Sequence, residues 1–227
     1  MIEIGTKIVS LDPGSTIIVG LPGSGKTTLV KNIINQYKME EDVKSTISIF
    51  TENDNYIDLK TGARSLSDIE FELKQLIIPE IMRRYEWVKD GDSLAEHGYI
   101  LVVIDAFDAY ILEEDNEDLI ESVKTLIETV IKIGSNVKVN CVLTAQSDSV
   151  FTYEMIQNIQ NKIVLGKTDE SMFEQMFENL DFSGKLGEGY IENTNRTNFN
   201  FFKNGNWWQR LVLFVVLVFL FKSYLII

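Results

Sequence analysis

Residues 16–30 read TIIVGLPGSGKTTLV, and the reading of this stretch decides the architecture. Gly20–Thr27, GLPGSGKT, fits the pattern G-x-x-x-x-G-K-[ST] at every required position. Ile17, Ile18 and Val19 make a short apolar, β-branched run before it, and Thr27, Thr28, Leu29 and Val30 open a helical pattern after it. Between a strand and a helix, each residue type has a physical task. Gly20, Gly23 and Gly25 let the backbone wrap closely with its N–H groups facing phosphate oxygens. Leu21, Pro22, Ser24 and Thr28 complete the expected nucleotide-binding set. Lys26 brings a point charge to the β- and γ-phosphates, and Thr27 offers a hydroxyl to Mg²⁺. The helix that follows turns its positive end to the same anion. The ligand expected here is ATP with Mg²⁺.

Outward from this loop, short apolar runs alternate with helical patterns. Strands are expected at Thr16–Val19, Thr46–Phe50, Ile100–Ile104, Val137–Leu143 and Lys162–Leu165. Helices are expected at Lys26–Tyr37, Ser67–Val88, Asn116–Ile133, Tyr153–Gln160 and Asp169–Leu180. Ser67 and Glu70 form a capping-box pattern at the start of the second helix, Pro79 is placed to kink or break it, and Gly134 suits a left-handed cap on the third. Buried strands alternating with helices predict an α/β fold, a mostly parallel sheet with helices on both faces. Gly189–Glu192 and Asn198–Lys203 read as a C-terminal hairpin.

The strand Tyr99–Asp105, YILVVID, is the expected second half of a phosphate site: an apolar strand ending in an Asp that holds Mg²⁺ through water. Asp105 is therefore paired with Thr27 as the metal-holding set. Many hydrolysing proteins of this kind place a Glu next, to activate the attacking water; here the residue is Ala106, and Asp108 is the nearby alternative acid. Binding is thus expected to be sound and turnover slow or partner-dependent. Gln146 ends the strand pattern Val142–Ala145 and is expected to face the γ-phosphate, so Asp105 and Gln146 are the candidate catalytic residues. Arg83 and Arg84 suggest fingers into a neighbouring subunit's site, against the plainer reading of a solvated helix face. His97 reads as a loop residue and Cys141 as core.

Charge and composition narrow the function. The chain has 227 residues, 34 acids and 21 bases, for a net charge of −13. That balance speaks against a protein that coats nucleic acid or anionic lipid by itself. One cysteine and one histidine exclude a disulfide framework and a Cys- or His-based zinc site. All 34 acids and 19 of the 21 bases precede residue 207, leaving only Arg210 and Lys222 charged in the last 21 residues. Residues 1–206 are expected to be the ATPase domain. Residues 207–227 read as a single membrane anchor, with Trp207 and Trp208 at the interface and Lys222 able to snorkel. Leu211–Ile227 would span about 25 Å as a helix. This places the body at the cytoplasmic face of the cell membrane.

Taken in order, these pieces resemble an FtsK/SpoIIIE/HerA-type P-loop ATPase. The resemblance runs over about residues 1–203. It rests on the P-loop, Ile81–Tyr85 (IMRRY), the strand ending at Asp105, Thr144–Ser147 (TAQS), Asn161–Leu165 (NKIVL) and Gly187–Gly189, where Glu188 stands for the family's Arg. Within the family the chain looks most like the last ATPase module of EssC-type type VII secretion ATPases, which also tend to have degenerate Walker B strands. The resemblance implies a RecA/FtsK-like sheet, partner ATPase modules or subunits in a hexamer, and small helical secreted proteins as substrates. It also implies an accessory or regulatory role beside a leading motor. Two other readings stand beside this one. A DNA translocase for conjugation, partition or virus packaging would want basic pore loops and the missing Glu. A nucleotide-gated membrane scaffold would need no turnover.

Overall fold

The computed structural model describes residues 2–4, 7–9, 11, 14–39, 46–51, 65–166, 188–192 and 197–200. The expected helix 169–180, Gly187 and the apolar segment 207–227 lie outside the described residues.

Two short strands, β1 (Ile2–Ile4) and β2 (Lys7–Val9), pair antiparallel at the N-terminal side. The main sheet has seven strands in the order β4-β5-β6-β3-β7-β8-β9. Its strands are β3 (Thr16–Val19), β4 (Thr46–Phe50), β5 (Ile100–Ile104), β6 (Val139–Ala145), β7 (Asn161–Leu165), β8 (Glu188–Glu192) and β9 (Thr197–Asn200). The first five in sheet order are parallel; β8 and β9 extend the sheet as the antiparallel hairpin expected from the sequence. Strand β6 begins two residues later than expected because a 3₁₀ turn at Gly134–Val137 takes up the start of the apolar run.

Alternate residues of the strands feed two separate cores, as a sheet covered on both faces requires. On one face Ile18, Leu101, Val103, Val142 and Ile163 pack with Leu29, Val30, Ile33 and Ile34 of α1 (Lys26–Met39). On the other, Ile17, Val19, Val102, Ile104, Cys141 and Leu143 meet a helical layer. That layer comprises α2 (Leu66–Glu72), α3 (Ile78–Lys89) and α5 (Glu117–Ile133). Burial pushes the Cys141 thiol up to about 12, so it is a packing residue rather than a nucleophile.

Local chemistry departs from the sequence reading in four places. The cap of α2 is Ser65, whose Oγ accepts from Asp68 N at 3.2 Å, and not Ser67 with Glu70. Glu70 instead accepts from Ser122 on α5 (2.5 Å) and from Lys74 (3.4 Å), which ties α2 to the neighbouring helix. Pro79 does not break the helix, which runs on through it to Lys89; the backbone widens into a π-turn at Leu73–Ile77, just before the position where a proline lacks its N–H. Gly134 is right-handed (φ −62°), and the left-handed residue is Lys138 (φ 61°). Gly134 is needed for space, since a Cβ there would sit 2.4 Å from the Val139 carbonyl oxygen.

The fourth departure concerns the paired arginines. Arg84 is not on a solvated face. It is buried, with Nε donating to Glu80 Oε1 (2.7 Å) and Nη1 to the carbonyls of Gly98 (2.9 Å) and Val137 (3.2 Å). It ties α3 to the loop before β5 and the turn before β6, which removes it as a finger. Arg83 is exposed, pairs with Glu80 and lies over the Trp87 ring. Trp87 stacks in turn on His97, at 4.7 Å between ring centroids.

Candidate nucleotide-binding site

The loop leaving β3 is built by turn chemistry. Ser24 N donates to the Leu21 carbonyl at 3.1 Å, closing a four-residue turn with Pro22 second and Gly23, at φ 78°, third. Proline pre-sets the second position, and a positive φ at the third is strained for any residue with a Cβ. Gly25 also has positive φ, 101°. Gly20 serves close approach: a Cβ there would stand 2.5 Å from Ser24 Oγ and 2.6 Å from the Leu165 carbonyl oxygen. The loop therefore wraps tightly onto the end of β7, and Leu21, Pro22 and Gly23 form its exposed outer side. Ser24 is buried, and its Oγ has no hydrogen-bond partner.

Helix α1 starts at Lys26, and its first turn holds no acid to compete for its N–H groups. Lys26 Nζ donates to the carbonyls of Gly20 and of Leu21 (3.2 Å), lying across the mouth of the loop. Burial lowers its pKa, and the carboxylates of Asp108 and then Asp105 oppose that shift. Thr28 is exposed on the first turn of α1.

Thr27 and Asp105 are brought together from 78 residues apart in sequence: Thr27 Oγ1 donates to Asp105 Oδ2 at 3.4 Å. Asp105 is buried, and its Oδ1 accepts from Thr144 Oγ1 at 2.5 Å. A hydroxyl that donates to Asp105 keeps its lone pairs for a cation. Mg²⁺ keeps several waters in its octahedral shell, so a Thr27 hydroxyl as ligand with the Asp105 carboxylate beside it to hold a bound water fits that ion. Among the described residues no three His, Cys, Asp or Glu side chains cluster as a metal site. A cation here would complete its shell from phosphate and water.

Strand β6 lies between the P-loop strand β3 and the Asp105 strand β5, and both neighbours are parallel to it. Its end therefore enters the site. Val19 pairs with Ala145, and Gly20 N donates to the Ala145 carbonyl at 3.2 Å. Gln146, the next residue, is exposed at this crevice, and its backbone N–H donates to Asp108 Oδ2 at 3.1 Å. Ala106 is left-handed (φ 59°, ψ 51°), its N–H donating to Thr144 Oγ1 at 2.8 Å. The chain turns there directly into α4 (Phe107–Leu112), which brings Asp108 back over the strand ends.

Sequence reasoning gave Thr144 no role, although it holds both Asp105 and the turn at Ala106. Its signals were its place one residue before the end of an apolar strand and at the head of the TAQS stretch. Asp108 was visible as a nearby acid, but its burial against Gln146 was not.

No protein-family model matches the chain, and no curated protein matches it. Solved structures do match. EssC ATPases 2 and 3 from Geobacillus thermodenitrificans superpose with a TM-score of 0.71 at 19% identity, covering 86% of this chain and 40% of that one. The pCW3 conjugation coupling protein TcpA with ATPγS gives 0.70 at 15% identity, covering 88% and 64%. Thermomonospora curvata EccC ATPases 2 and 3, in complex with a signal sequence peptide, gives 0.63 at 13% identity, covering 90% and 41%. The chain spans less than two thirds of each of these. Seven strands ordered around a P-loop strand, and this likeness across most of the chain, establish the architecture: the protein has the fold of the FtsK/SpoIIIE-type P-loop ATPases, as EssC does.

Proposed function

We propose that the protein is an ATP-binding ATPase module with weak or partner-dependent hydrolysis, acting as an accessory or regulatory part of a membrane-bound, type VII-like secretion machine. The observation that carries the reading is the joined site. A glycine-built phosphate loop, Lys26 across its mouth and the Thr27–Asp105 pair are assembled, while Ala106 stands where a second acid would activate water. Gly20–Thr28 hold the nucleotide, Thr27 and Asp105 hold Mg²⁺, and Asp105 and Gln146 serve the γ-phosphate. Likeness to EssC and EccC supports partner ATPase modules and, through the EccC signal-peptide complex, helical secreted proteins as substrates. A hexamer is part of the same reading.

The likeness to a conjugation coupling protein favours a second reading, a DNA translocase. The body's 34 acids against 19 bases weigh against it. The two are separated by single-turnover ATPase assays of the full chain with double-stranded DNA or with an amphipathic helical peptide. Stimulation by the peptide is expected; stimulation by DNA alone would overturn the secretion reading.

Residues 1–206 are proposed as the ATPase domain and 207–227 as a single C-terminal anchor at the cytoplasmic face of the membrane. Among the described residues no helix is long and apolar enough to cross a membrane, so the anchor rests on the composition of 207–227. Deleting 207–227 should move the protein from the membrane pellet to the soluble fraction. Retention in the pellet would reject the anchor.

A further inference from the structure

The missing acid after Asp105 has a substitute in the fold. Asp108 is 6% exposed, and only one of its oxygens is satisfied: Oδ2 accepts the Gln146 N–H at 3.1 Å, while Oδ1 is buried without a hydrogen-bond partner. A buried carboxylate oxygen left unpaired in a native fold is uncommon, and a bound water, an ion, stored strain or a catalytic task accounts for such atoms. Its position names the task. Gln146 is the first residue beyond β6, and Ala145 before it pairs with Val19 and accepts from Gly20 N, so Asp108 stands beside the start of the phosphate loop. Of the two carboxylates that act on the Lys26 ammonium, Asp108 exerts the larger effect.

The backbone explains how a residue three positions on reaches this place. An extended continuation of β5 would carry Asp108 away from the sheet. Ala106 instead adopts a left-handed conformation, uncommon for a residue with a Cβ, and Thr144 Oγ1 holds its N–H. Such strain persists where surrounding contacts enforce it and is found disproportionately at active sites.

We propose that Asp108 is the carboxylate that orients and deprotonates the attacking water, in place of the glutamate absent at position 106. The inference rests on the ATP-binding reading above. In the step, the water oxygen bonds to Pγ as the bond between Pγ and the β–γ bridging oxygen breaks. ADP leaves with that electron pair, and the water proton passes to Asp108 Oδ1 and then to the released phosphate.

The test uses the full chain with excess protein over labelled ATP and Mg²⁺, with and without the helical peptide. ATP affinity and single-turnover rate are measured separately. Asp108→Asn keeps the size and an acceptor for Gln146 N but cannot take a proton. Its affinity should stay within about 3-fold while its rate falls at least about 100-fold, in the range of general-base contributions. Added formate should restore part of the rate in Asp108→Ala, which a purely structural carboxylate would not show. An Asp108→Asn rate near wild type would overturn the proposal, as would a parallel loss of affinity and rate. Wild type that binds ATP without turnover would also overturn it, leaving nucleotide binding intact. Wild type that fails to bind ATP would instead remove the underlying reading, and this one with it.

Discussion

Arg84→Ala should lower folding stability by about 3–5 kcal/mol, the range for removing one partner of a buried ion pair. The guanidinium is buried and reaches three acceptors on three segments: Glu80 on α3, the Gly98 carbonyl before β5 and the Val137 carbonyl before β6. Truncation removes the donor from the half-buried Gly98 carbonyl and the buried Val137 carbonyl, and leaves Glu80 paired only with Arg83. Burial alone would raise the Glu80 carboxyl, but its hydrogen bonds to Arg84 and Arg83, with their charges, hold it below the usual range. A carboxylate depressed in the folded state stabilises above its unfolded pKa, and that contribution fades as pH falls through the folded value. The gap between wild type and Arg84→Ala should therefore narrow in acid. Arg83→Ala, at an exposed residue, should cost no more than about 1 kcal/mol. Guanidinium unfolding at neutral and acidic pH checks both variants; a neutral gap below about 1 kcal/mol for Arg84→Ala would show that the cluster is not a structural clasp.

Lys26→Ala should abolish the thermal stabilisation given by ATP and Mg²⁺. Ligand at 100 times its Kd stabilises by about 2.7 kcal/mol, or roughly 5–10 °C for a domain of this size. Truncating one partner of a buried charge pair costs about 2–5 kcal/mol, at least about a 30-fold loss of affinity. Lys26 also donates to the Gly20 and Leu21 carbonyls, so its loss shifts the nucleotide-free melting temperature as well, and each shift is read against its own baseline. A melting shift equal to wild type would exclude Gly20–Thr28 as the nucleotide site.

Much of this was legible from local chemistry. Strands β3 and β5 lie where their apolar runs predicted, because strands buried on both faces are largely apolar, and the edge strand β4 was legible from its β-branched and apolar run although Thr46–Ser48 are only partly covered. The phosphate loop was legible because its glycines answer backbone demands that Gly23 and Gly25 meet through positive φ and Gly20 through close approach. Caps were less legible: Ser65 and Ser67 both precede an acid by three residues, so the local pattern does not separate them, and the helix starts after Ser65.

The sequence by itself determined the α/β alternation, the phosphate loop and the acid at the end of β5, since each follows from periodicity or from residues a few positions apart. Tertiary structure alone decided which of those residues meet. Sheet order inserted β6 between β3 and β5, and so put Thr144 against Asp105 and Gln146 N against Asp108. The same packing buried Arg84, turning it from an apparent surface charge into a clasp. Contacts across 38 to 53 residues of chain depend on strand order and helix placement, which hydrophobic periodicity does not encode.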